Sequence, residues 1–321
     1  MSTPHRRRRG PLTTSLALAA AAALVATPAA AAQSTAQPDG AIAVSSLGAT
    51  NEIPGSVAGS LGSLAEPAYA EYVALGDSYA AFGDQSGVAA PCGRSASNYP
   101  GLLDANPAVG ELTDVTCGGA VTEDLFEAQH PGVAPQLEAL DEDTDLVTLS
   151  IGGNDVGFGT IVGCITRQGP FAPLPASATC ESQVGGTVQN GINRVFGENG
   201  AVDGVYDAIA AAAPNATVIA TQYMPLMPDE GETCAFTEQL NPADVQWARE
   251  VTDQINDAVA VAAQRSGHVA VMPVDDAVDR SACAPNNKRW TDFTGEAPGS
   301  APMHPTALGQ QAMAAAIAAA L

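Results

Sequence analysis

Leu146-Val147-Thr148-Leu149-Ser150-Ile151-Gly152-Gly153-Asn154-Asp155 is the stretch on which the fold turns. Its first six residues are nearly continuous apolar and β-branched, interrupted only by Thr148 and Ser150. That pattern reads as a strand buried on both faces, as in a parallel sheet. Two glycines then break the strand, and Asn154-Asp155 delivers polar side chains just beyond its end. On either side of this segment, Tyr69–Leu75, Thr113–Cys117, Thr217–Tyr223 and His268–Val274 also read as strands. Helical patterns lie between them. One starts at Asn241-Pro242, a cap followed by proline at the first turn, and repeats through Trp247, Val251, Ile255 and Val259. Another covers Val202 to Ala213, and an alanine-rich one runs from Ala307 to the C-terminus. Strand–helix alternation predicts an α/β fold, a three-layer α/β/α sandwich around a mostly parallel sheet. In such folds chemistry gathers past the C-terminal ends of the strands.

The 321 residues hold more than this one domain. Residues 1–32 place Arg6–Arg9 before an apolar run, Leu16 to Val25, and end in Ala30-Ala31-Ala32. That order is the one found in a cleavable secretory signal, and the apolar run is shorter than the ~20 residues that span a bilayer. Residues 33–67 are rich in Ala, Ser, Gly and Pro without a period, and read as a linker or pro-segment. The folded domain is expected over 68–321. No further stretch is long and apolar enough to span, so a secreted, extracellular protein without stable membrane insertion is predicted.

Charge narrows the classes further. The chain has 35 acidic and 12 basic residues, and four of the basic ones are Arg6–Arg9. Loss of the signal leaves eight basic against 35 acidic, a net charge of −27. Such a surface repels phosphate backbones, which excludes nucleic acid as a partner. The six cysteines form no Cys-x-x-Cys pair and have no histidine at ligand spacing, so no metal site is expected from them. In an oxidising compartment they become three disulfides. Of the fifteen pairings, the sequential one is expected: Cys92–Cys117, Cys164–Cys180 and Cys234–Cys283. No heptad or exposed apolar face stands out, and a monomer is expected.

The strand ends carry the candidate chemistry. The first strand runs into Gly76-Asp77-Ser78-Tyr79, where glycine permits a sharp bend and serine can open a helix. The elbow pattern Gly-x-Ser-x-Gly does not fit, because position 80 is alanine. The second strand ends in Gly118-Gly119-Ala120, the third in Gly153-Asn154-Asp155, and Met303-His304-Pro305 precedes the last helix. His130 lies in a turn and His268 at a strand start, so both read as structural. Asp77 and Asp155 each read as a helix cap or a loop-backbone acceptor. With Asp84 they show no ligand spacing, and neither a metal nor another cofactor is expected.

In this order, Gly76-Asp77-Ser78-Tyr79, Gly119, Gly153-Asn154-Asp155 and His304-Pro305 resemble the blocks of the SGNH hydrolases, also called GDSL lipases and esterases. The six cysteines and Arg94-Ser95-x-x-Asn98-Tyr99-Pro100 narrow the resemblance to secreted actinobacterial members. It covers Glu71 to Leu321. The resemblance implies a flavodoxin-like fold and a carboxylic ester hydrolase without a cofactor, acting on a small-molecule or lipid ester. It implies Ser78 as nucleophile and His304 as base. The oxyanion hole comes from the Ser78 and Gly119 N–H groups and the Asn154 side chain. A side chain at position 119 is expected to block substrate. One position departs from the pattern: the aspartate usual three residues before the histidine is Ala301, and Asp292 and Glu296 have the wrong spacing. Some secreted relatives use a backbone carbonyl instead, and here Ala301 or Met303 is expected to supply it. Phe82, Phe158, Phe171 and Tyr223 are candidates to line an acyl pocket or equally to fill the core, and 169–175 is a candidate pocket-edge loop. The same residues serve acyl transfer to another alcohol. A catalytically inert binding or adhesion module is the competing class.

Overall fold

The computed structural model describes residues 66–321 other than 87, 89 and 298. The secretory signal expected over 1–32 and all but the last two residues of the 33–67 linker lie outside the described residues.

Five parallel strands form the central sheet: β1 (Tyr69–Gly76), β2 (Val109–Asp114), β3 (Leu146–Ser150), β4 (Thr217–Thr221) and β5 (Val269–Val271). Their spatial order is β2-β1-β3-β4-β5. The register aligns Tyr72 with Leu146 and Gly76 with Ser150, so β1 and β3 end side by side. Alternate residues of a strand face opposite sides, and both sides are covered. Val73, Leu75, Val147 and Leu149 enter one apolar cluster with α4 (Phe158–Ile165), α5 (Gly186–Phe196), α6 (Ala201–Ala212) and α7 (Pro242–Arg265). Tyr72, Ala74, Leu146 and Ile219 enter the other, under α2 (Tyr99–Leu103) and α8 (Ala307–Ala318). This is the three-layer sandwich. Two one-turn helices, α1 (Ser78–Ala81) and α3 (Gly153–Val156), follow β1 and β3 directly. A short antiparallel ribbon, β6 (Thr291–Asp292) with β7 (His304–Pro305), stands outside the sheet.

The elements differ from the sequence expectation in several places. The strand expected at Thr113–Cys117 is β2 at Val109–Asp114, an edge strand whose half-exposed residues give a weak apolar signal. Asp114 ends it by accepting the Thr116 N–H and hydroxyl in a local turn. β5 stops at Val271 instead of Val274, because Pro273 has no N–H to donate and Val274 is exposed. Helices α4 and α5 were not anticipated, since Gly159, Gly163, Gly186 and Gly191 weaken their helical signal.

The three cystines are Cys92–Cys117, Cys164–Cys180 and Cys234–Cys283. Among the described residues no helix is long and apolar enough to cross a membrane.

The bend after β1 rests on Gly76. Its φ is +135°, and a Cβ there would collide with the Ser150 carbonyl of β3. Gly76→Ala is therefore expected to lower stability by about 2 kcal/mol or more, measured by urea denaturation. An unchanged midpoint would show that the two strand ends can separate without cost.

Candidate active site

The C-terminal ends of β1 and β3, the turn after β2 and the β6–β7 ribbon meet at one place. Ser78 opens α1, with Asp77 as its cap; the Asp77 carboxylate accepts the Tyr79 N–H at 2.9 Å. Ser78 is nearly buried, and its Oγ lies 2.7 Å from His304 Nε2. On the far side of the ring, Nδ1 lies 2.6 Å from the Pro302 carbonyl. A carbonyl can only accept, so Nδ1 carries the proton and Nε2 offers its lone pair to the serine hydroxyl. Burial holds the His304 pKa below the ordinary imidazole value, partly offset by the Pro302 bond. Phe82 packs against the ring at 4.9 Å between centroids and Tyr79 at 5.4 Å.

The histidine's backbone partner is thus Pro302, a correction to the expected Ala301 or Met303. Both of those carbonyls are engaged elsewhere. Ala301 accepts the His304 N–H at 3.1 Å in a tight turn, and Met303 accepts the Tyr79 hydroxyl at 3.2 Å. Met303, at φ 63°, turns the chain so that the intervening Pro302 carbonyl lies against the ring. No carboxylate bonds to the imidazole among the described residues. Asp292 is buried, pairs with Arg289 at 2.9 Å and accepts the Ala297 N–H at 3.0 Å, so it braces the loop before the histidine.

The two oxyanion candidates outside α1 flank the serine loop. Gly119 has φ +81°, and a Cβ there would meet only Gln129 Nε2, at 3.7 Å. Backbone conformation requires glycine at this exposed position, and the space above it is open. The N–H groups of Ser78 and Gly119 have no hydrogen-bond partner among the described residues. Asn154 Nδ2 donates one hydrogen to the Ala120 carbonyl at 2.9 Å, which leaves its second N–H available.

Asp77 and Asp155 hold loops. Asp155 accepts the Thr122 N–H and hydroxyl, and no group of acidic, histidine or cysteine side chains among the described residues is arranged to hold a metal ion. Asp77 accepts from Ser150 Oγ and from the Tyr223 hydroxyl at 2.7 Å, while that hydroxyl accepts the Gly153 N–H at 2.8 Å. Tyr223 so links the serine loop to the asparagine loop, a role without a sequence signal. The same holds for Gln310, whose fully buried amide bonds the Tyr79 and Phe82 carbonyls. His268 packs edge-on to Tyr206, and the His130 carbonyl closes a turn on Val133.

A narrow apolar cleft begins at Ser78 and Asn154 and runs between α4 and α7. Phe158, Ile161, Met224, Met227, Val251 and Ile255 are among its walls. Of the four aromatic candidates, Phe158 and Tyr223 line it, Phe82 covers the histidine, and Phe171 packs on the core. Nothing in 169–175 borders the cavity, contrary to expectation, because Phe171 and Leu174 turn inward.

Burial pushes the Asp77 carboxyl up to about 6, against the pull of the Tyr223, Tyr79 and Ser150 hydrogen bonds, with the Asp155 charge adding to the rise. Between the ordinary Asp value of about 3.9 and that raised value, the folded protein keeps a proton that the unfolded chain has released. Stability contributed by this group therefore falls as pH rises through that window and is level above it. In urea titrations from pH 4 to 7, the wild type is expected to lose on the order of 1–3 kcal/mol relative to Asp77→Asn. Parallel curves would contradict the shift.

Comparison with known proteins places this geometry in a family. The model of the GDSL-like lipase/acylhydrolase family matches residues 74–312. Lipase 2 of Streptomyces coelicolor is 38% identical over 255 residues, covering 76% of this chain and 83% of that one. Among solved structures, phospholipase A1 from Streptomyces albidoflavus NA297 aligns with TM-score 0.61 at 26% identity, over 78% of this chain and 99% of that one. The extracellular lipase of Streptomyces rimosus aligns with TM-score 0.60 at 28% identity, over 78% and 100%. The chain belongs to the GDSL-like lipase/acylhydrolase family and is a carboxylic ester hydrolase of the lipase/esterase class.

Proposed function

We propose that this protein hydrolyses neutral esters of apolar acyl chains through a serine–histidine dyad, and that the Ser78–His304 bond at 2.7 Å, backed by the Pro302 carbonyl, carries this reading. His304 Nε2 takes the Ser78 proton as Oγ attacks the acyl carbon. The carbonyl oxygen gains charge where the Ser78 N–H, the Gly119 N–H and the second Asn154 N–H converge. Pre-placed donors of this kind stabilise the transition state without reorganisation. The imidazolium then protonates the departing alcohol. Water, deprotonated by the same nitrogen, releases the acid and restores the serine. Pro302 takes the part of a carboxylate in holding the tautomer, as a neutral dipole rather than a charge.

The acyl chain occupies the cavity between α4 and α7, whose walls are aliphatic and aromatic. A neutral substrate follows from charge. Six of the seven arginines in the described residues donate to a carbonyl or carboxylate of this chain, as Arg167 does to Asp244 and Arg249 to the Pro228 carbonyl, and Arg289 is ion-paired with Asp292. Among the described residues this leaves Lys288 as the one unengaged cation to meet an anionic headgroup, in a chain of net negative charge. The dyad, the donors and the cavity all come from one chain, which supports action as a monomer. Three disulfides and the likeness to an extracellular lipase support secretion.

The test is hydrolysis of p-nitrophenyl esters of graded chain length by the oxidised mature protein. Ser78→Ala is expected to cut turnover by ~10³-fold or more with the fold retained, and residual turnover near wild type would remove the serine mechanism. Val251→Trp, which fills the cavity from α7, is expected to lower kcat/KM on decanoyl esters at least ~10-fold more than on acetyl esters. Equal losses on both would place the chain elsewhere.

A further inference from the structure

We infer that Gln129 is a positioning residue of the oxyanion hole, acting through the peptide between Gly118 and Gly119; this rests on the reading of Gly119 N–H as an oxyanion donor. The carbonyl of Gly118 and the N–H of Gly119 belong to one planar unit, so whatever holds the oxygen also aims the hydrogen. Gln129 Nε2 donates to that oxygen at 2.9 Å, and the oxygen has no other partner among the described residues. The surrounding groups are tied as well. Gly118 N–H bonds the Cys92 carbonyl at 2.8 Å, Ala120 N–H bonds the Cys117 carbonyl at 3.1 Å, and the Ala120 carbonyl accepts Asn154 Nδ2 at 2.9 Å. In this tightly bonded turn the Gly119 N–H is left without an acceptor. Donation to the Gly118 oxygen also polarises the amide, which strengthens that N–H as a donor.

The other end of the Gln129 amide indicates what the residue is kept for. Its Oε1 is buried with no hydrogen-bond partner among the described residues. A buried unpaired acceptor costs stability. A side chain selected for packing alone would avoid that cost, whereas one selected to hold the Gly118 carbonyl accepts it. The residue thus sets activity against stability.

Gln129→Met keeps the length, lacks the donor and removes the orphan oxygen. Its melting temperature is expected to equal or exceed that of the wild type. Its kcat on a p-nitrophenyl ester is expected to fall about 10- to 100-fold, with KM changed by less than about twofold. Gln129→Glu supplies a second readout. Its carboxylate cannot donate to the carbonyl but its protonated form can, so the wild-type-to-variant ratio of kcat is expected to shrink as pH falls from 7.5 to 4.5. A kcat for Gln129→Met near wild type, a loss confined to KM, a lowered melting temperature that accounts for the lost activity, or a Gln129→Glu ratio flat with pH would each overturn the inference. Ser78→Ala, assayed beside these variants, separates the two levels. If it abolishes turnover while the Gln129 variants keep theirs, only the role of Gln129 falls; if it leaves turnover intact, the serine mechanism itself falls.

Discussion

The hydrogen bond between Ser78 and His304 joins positions 226 residues apart. A contact so distant in sequence costs loop-closure entropy, and a bond of this kind returns only about 1 kcal/mol on its own. It persists because each end is held by something stronger. The serine is clamped between a bent strand end and a one-turn helix whose cap is buried. The histidine sits in a two-residue strand braced by Asp292 and Arg289. Tyr79 joins the two ends directly, its hydroxyl on the Met303 carbonyl and its ring beside the imidazole.

Beneath this pair, buried polar side chains tie the strand ends to one another. Asp77, Ser150, Tyr223 and Gly153 form one chain of bonds, while Gln136 bonds both the N–H and the carbonyl of Gly76. Each loop alone has the freedom of a surface turn. Cross-linked, they leave the N–H groups of Ser78 and Gly119 without an acceptor among the described residues, as the proposed oxyanion site requires. Preorganisation of this sort depends on neighbours being satisfied as much as on the donors being free.

Ionic groups follow a related division. The seven arginines of the described residues are engaged with carbonyls and carboxylates of the same chain, while acidic groups are in large excess. The positive charges thus brace loops and helix ends, and the long-range field stays negative. Such a field is compatible with a neutral ester and an apolar slot, and unfavourable to polyanions.

Much of this was legible from residues alone. The buried run at Leu146–Ile151, the helix cap at Asn241-Pro242 and the glycine breaks after the strands marked the layers, because burial on two faces and chain breaks leave local signatures. Gly-Asp-Ser, Gly119, Gly-Asn-Asp and His304 were legible as a set through their resemblance, in that order, to the blocks of a known family; singly each reads as a cap or a turn. The glycine-rich helices and the edge strand were not, since their stability comes from packing and pairing rather than propensity. Nor could Pro302 be told from Ala301 or Met303. Three adjacent carbonyls are chemically alike, and only the turn at Met303, with the hydrogen bonds taken up by its neighbours, decides which one meets the ring. Gln129, Gln136, Gln310 and the Tyr223 hydroxyl belong to the same class. The succession of strands and helices along the chain was determined by the sequence, through local periodicity and chain breaks, and the candidate reactive residues by their resemblance to a family pattern. Which amide, hydroxyl or carbonyl faces which partner was decided by the tertiary structure, because hydrogen bonds depend on direction and distance that residue type does not encode.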